Sequence, residues 1–80
     1  MLNLRRYLMG VYVGPTLVEP MAQRFAKAGF LVSSRGTARV WLTALFEADQ
    51  DPRAEFLASL RREYGSTSGL TASDIFVREA

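Results

Sequence analysis

The chain of 80 residues contains no cysteine and no histidine, and lysine is nearly absent, since nine of its ten basic residues are arginine. Without thiols or imidazoles there are no disulfides, no thiolate chemistry, no zinc site built on those ligands and no Ser-His relay. Such a composition fits a reducing compartment. No apolar stretch approaches the roughly 18 residues that a membrane helix needs. Arg5-Arg6 followed by the apolar run Tyr7 to Val13 resembles the opening of a signal peptide, but Gly14-Pro15 stops the run early and Glu19 follows without a cleavage site. A cytoplasmic protein without membrane contact is therefore expected.

What is present is a chain with 49% apolar residues and a net charge of +2. A domain of this size buries only roughly 60 to 65% of its unfolded surface, so it needs a regular, well-patterned core. We read residues 1–80 as one such domain. The excess of arginine favours bidentate contacts with carboxylate, phosphate or aromatic faces over a diffuse lysine-type field.

Tyr7 to Val13, an unbroken apolar run with tyrosine and valine, suits a buried central strand. Gly14-Pro15 ends it. Thr16 and Glu19 form a candidate capping box for a first helix, with Pro20 offering the alternative of a start at Glu19. Leu17, Met21 and Phe25 fall on one helical face, and Gly29 stands where a C-terminal stop belongs. Phe30 to Arg35 reads as a second strand, turned by Gly36 into an alternating segment from Thr37 to Ala48. Here Ala38, Val40, Leu42, Ala44 and Phe46 point one way; Arg39, Trp41, Thr43, Leu45 and Glu47 point the other.

Asp51-Pro52 starts a second helix with N-cap and N1 residues in their preferred order, Phe56, Leu57, Leu60 and Tyr64 supply its apolar stripe, and Gly65 ends it. After a flexible surface loop from Gly65 to Gly69, Ile75 and Val77 alternate with Asp74, Phe76 and Arg78 in a last strand. The order strand, helix, strand, strand, helix, strand predicts an α+β, ferredoxin-like fold, a four-stranded antiparallel sheet with both helices on one face. The other face is expected to carry Tyr12, Arg39, Trp41, Leu45 and Phe76 to a partner, unless Leu2 and Leu4 or a second copy cover it.

Enzymatic chemistry is not expected, and no cofactor is implied. The richest polar cluster, Glu47, Asp49, Asp51 and Glu55, has the oxygens a magnesium ion would accept, but Asp51 suits a helix cap and Glu55 the helix dipole. An acidic corner for a protein partner is the alternative use. Gly10 and Gly14 lack the spacing of a phosphate-binding loop.

Val11-Tyr12-Val13-Gly14, Phe25-Ala26-Lys27-Ala28-Gly29 and the octamer Arg35-Gly36-Thr37-Ala38-Arg39-Val40-Trp41-Leu42 resemble the RNA-recognition motif family in its two signature strands and first helix end. That resemblance implies single-stranded RNA as a partner, with Tyr12 as a stacking surface. The octamer departs from the family at its third and fifth positions, usually aromatic, which are Thr37 and Arg39. Small ferredoxin-like nucleases resembling the CRISPR-adaptation endonuclease place an aspartate after strand 1, where this chain has Val13-Gly14-Pro15. In size and architecture the chain is also similar to small phage-encoded anti-CRISPR proteins, which implies a protein partner, such as a surface of a nucleoprotein effector complex. Self-association as a regulatory domain is a third expectation.

Overall fold

The computed structural model describes residues 3–80. Four strands, β1 (Leu4–Tyr12), β2 (Leu31–Arg35), β3 (Arg39–Glu47) and β4 (Ile75–Glu79), and two helices, α1 (Val18–Lys27) and α2 (Pro52–Tyr64), follow in the order β1-α1-β2-β3-α2-β4. The sheet is antiparallel with the order β2-β3-β1-β4, a ferredoxin-like α+β fold. Its spine is the nine-residue ladder between β1 and β3, from Leu4 opposite Glu47 to Tyr12 opposite Arg39.

Alternation decides which side chains enter the core. Tyr7, Met9 and Val11 of β1, Val40, Leu42 and Ala44 of β3, and Ile75 of β4 point to the helices and are buried with Met21, Ala22 and Phe25 of α1 and Phe56, Leu57 and Leu60 of α2. Phe25 and Phe56 meet edge to face with centroids 5.1 Å apart, and Phe30 lies 4.8 Å from Phe56, so the two helices and the residue just before β2 share one aromatic cluster.

Strand 1 begins at Leu4, three residues earlier than its apolar run, because β3 is long enough to pair Leu4, Arg5 and Arg6 with Glu47, Phe46 and Leu45. The Thr16–Glu19 capping box does not form. Leu17 is the N-cap of α1 without a side-chain cap, and it is half-exposed rather than part of the apolar face. Pro20 sits in the first turn, where a missing N–H costs nothing because the first four amides have no helical acceptor. Glu19 instead pairs with Arg35 of β2 at 2.7 Å.

At the other end of α1 the Gly29 amide bonds to the Ala26 carbonyl and the Phe30 amide to the Phe25 carbonyl. These two bonds make a Schellman stop, with Gly29 at φ +102, a conformation that a side chain strains. The turn sends the chain into β2, which begins at Leu31 rather than Phe30 and is broken by an irregularity between Val32 and Ser34, where the Ser33 hydroxyl donates to the Trp41 carbonyl at 3.2 Å.

In α2 the Asp51 carboxylate accepts from the Arg53 amide at 3.1 Å, Pro52 opens the first turn, and Gly65 closes the last. Two side chains tie helices to their surroundings. Arg53 Nε donates to the Ile75 carbonyl at 2.8 Å, and the Tyr64 hydroxyl donates to the Arg24 carbonyl at 2.9 Å. Between α2 and β4 the chain is also held down, for Leu70 is buried and the Thr67 hydroxyl donates to its carbonyl. A short 3-10 turn, Ala72–Asp74, then leads into β4, capped reciprocally by Thr71 and Asp74.

Candidate functional site: the open sheet face

The face of the sheet away from the helices takes the alternate residues of every strand. Register places Arg6, Leu8, Gly10 and Tyr12 of β1 beside Leu45, Thr43, Trp41 and Arg39 of β3, with Phe76 and Arg78 of β4 opposite Gly10 and Leu8. All five expected residues therefore share this face: Tyr12, Leu45 and Phe76 are large exposed hydrophobics, Arg39 is exposed, and Trp41 is half-buried.

Trp41 owes its partial burial to a glycine. Gly10 lies between Trp41 and Phe76 in the ladder, and having no side chain it lets the two rings meet over its backbone, edge to face with centroids 6.0 Å apart. A Cβ on Gly10 would come within 2.6 Å of the indole Cζ3 atom, so the aromatic pair and the glycine are one device. One strand pair further on, the Arg39 guanidinium lies 5.8 Å from the Tyr12 ring centroid, a cation–π distance.

Charge is distributed unevenly between the two sides. Glu47, at the far end of β3, is the acidic residue that the strand pattern puts on the open face, against Arg6, Arg39 and Arg78. Other arginines are engaged elsewhere: Arg5 with Glu79, Arg35 with Glu19, Arg53 with the β4 backbone, Arg24 with Ser68 and the Tyr64 ring. The open face is thus apolar and aromatic with a cationic margin.

The acidic corner is less of a unit than its spacing suggests. Asp51 is consumed as the helix cap and Glu55 occupies the first turn of α2. Glu47 ends β3, half-buried, its amide bonded to the Gln50 side chain, while Asp49 stands exposed in the intervening turn. Among the described residues no three acidic side chains converge so as to hold a metal ion.

Thr37 lies in the β2–β3 connection rather than on the sheet, and Arg35-Gly36 belong to the end of β2 and the turn, so the octamer straddles a hairpin instead of occupying one strand. Of the expected covering segment, Leu2 lies outside the described residues. Leu4 is half-exposed at the Glu47 end of β1, away from Trp41. Leu31 also opens on this side, 71% exposed, because its register opposite Thr43 sets its face, which the sequence pattern of residues 30–35 does not indicate. Among the described residues, no helix is long and apolar enough to cross a membrane. No protein-family model, no curated protein and no solved structure matches the chain significantly.

Proposed function

We propose that the protein is a non-catalytic binding module whose open sheet face takes a protein partner with an acidic, partly apolar surface. The Trp41–Phe76 pair with leucines and arginines on the same face carries this reading, because rigid aromatic anchors with an arginine margin are what protein interfaces select. Three arginines against one glutamate leave this face net positive, which disfavours stacking two copies through it. In its most specific form the partner is a surface of a CRISPR effector complex, occupied by an inhibitor of anti-CRISPR type; support for that form comes from size and architecture alone. Affinity capture from a bacterial lysate, with and without nuclease, tests the module. Capture that survives nuclease and is lost with Trp41→Glu supports it; capture unchanged by Trp41→Glu, or abolished by nuclease, refutes it.

The second reading is a single-stranded RNA-binding domain. It is favoured by one observation, the Arg39 guanidinium set over Tyr12 with Trp41 two residues along the same strand, which gives a base a cationic plane and two rings within reach. The protein reading is preferred because Thr37 lies in the turn and Trp41 is already in contact with Phe76. Titration of fluorescent single-stranded RNA at low salt separates the two: salt-dependent binding that weakens with Tyr12→Ala and Arg39→Ala supports RNA, and absence of binding at low salt ends that reading.

A further inference from the structure

β2 begins opposite Thr43, so the last residues of β3 have no neighbouring strand on that side. The Gly29 turn that ends α1 draws the chain away at the same level. Between them lies a groove of about 470 Å³ at the sheet edge, within the range of small-molecule sites. Its lining is uneven in a chemically specific way. Phe30, Leu31 and Leu45 are its large apolar residues, Thr43 and Ala44 lie beside them, and Arg6 is the charged residue.

Phe30 is a firm wall, because its ring also packs 4.8 Å from Phe56 and 6.2 Å from Phe46. Leu31 and Leu45, by contrast, are 71% and 57% exposed, and together they leave apolar surface open on the two banks of the groove. Arg6 stands beside Leu45 in the β1–β3 ladder, and among the described residues its guanidinium enters no ion pair. No carboxylate lines the groove to neutralise it.

We propose that this groove, where Arg6 flanks the Leu31–Phe30–Leu45 walls, binds a small aliphatic carboxylate, with the tail between the leucines and the head group on Arg6. An aliphatic carboxylate meets both features of the lining at once, the leucine walls with its tail and the exposed Arg6 guanidinium with its head group. An arginine fork matches a carboxylate in two parallel hydrogen bonds, which gives the head group its direction. The groove shares Arg6 and Leu45 with the open face but does not include the aromatic pair at Trp41, so the two readings are tested by different substitutions.

Octanoate, with octanol as its uncharged counterpart, is the probe, followed by amide chemical shifts in the folded protein. Octanoate should shift the Leu31, Thr43 and Leu45 amides, and octanol should bind at least roughly tenfold more weakly. Arg6→Gln should bring octanoate down to the level of octanol, while Leu31→Gln should weaken both ligands. Both substitutions fall on exposed positions, and unchanged amide shifts in the core establish that each variant is folded. Trp41→Glu should leave octanoate binding intact, so failure here and failure of the partner surface are told apart. Equal binding of octanoate and octanol, unaltered octanoate binding by Arg6→Gln, or the absence of shifts around the groove overturns the proposal.

Discussion

Gly10 and Trp41 face one another across the central strand pair, and the indole occupies the space that a side chain at position 10 would need. Position 10 is fixed by its neighbour rather than by its backbone, which has no positive φ. Gly10→Ala is expected to push the indole off the Phe76 ring and destabilise the fold by about 1 to 3 kcal/mol, the usual cost of overpacking, against roughly 0.5 to 1 kcal/mol recovered by replacing glycine in a strand. Urea unfolding followed by tryptophan fluorescence measures both, since Trp41 is the sole tryptophan. A variant as stable as the wild type with unchanged emission would show that the ring moves freely.

Truncating the aromatic cluster should be far more costly. Phe25 is completely buried against Phe56, and Phe25→Ala is expected to lose about 3 to 5 kcal/mol. An 80-residue domain has about 4 to 12 kcal/mol in all, so the variant sits near the threshold of folding. Circular dichroism melting would show a transition moved to low temperature or lost.

Asp51 offers a separable test of local structure. Asp51→Ala should cost about 1 kcal/mol through loss of the hydrogen bond to the Arg53 amide, whereas Asp51→Asn, which keeps an acceptor at the cap, should cost only a fraction of that. Equal losses for the two would point to the charge rather than the cap.

Charge reversal at the exposed end of the acidic corner distinguishes the two candidate surfaces. Asp49→Lys is expected to leave partner capture unchanged, because Asp49 stands in the turn after β3, off the sheet, and the proposed contact centres on Trp41 and Phe76. Loss of capture in that variant, with stability retained in a melting experiment, would transfer the binding surface to the corner.

The oligomeric state follows from the same charges. Light scattering is expected to give a monomer for the wild type and for Trp41→Glu alike, since three arginines share the open face. A wild-type dimer that Trp41→Glu dissolves would establish self-association through the sheet instead.

Periodicity made most of this architecture legible. Along β3 the alternation Val40, Leu42, Ala44 against Arg39, Trp41, Leu45 placed every core residue correctly, because one set is apolar and the other mixed. The same logic placed Phe56, Leu57 and Leu60 and the Asp51-Pro52 start. It faltered where tertiary pairing overrides local pattern. Leu4 to Arg6 become strand because β3 extends beside them, and Thr16 lost its capping role because the chain enters α1 through Leu17. The groove at Arg6 was invisible in the sequence, since it arises from where β2 stops, a property of the register and not of any motif.

The nine-residue ladder between β1 and β3 also sets the order of events when the chain folds. It joins position 4 to position 47 and position 12 to position 39, with α1 and β2 in between, so the spine of the sheet cannot close until a long intervening segment has been gathered in. The β2–β3 hairpin, local in sequence, can form early but is short and irregular on its own. Folding is therefore expected to be limited by docking β1 onto that hairpin, and conservative truncations of Val11 and Val40 should slow refolding more than they speed unfolding.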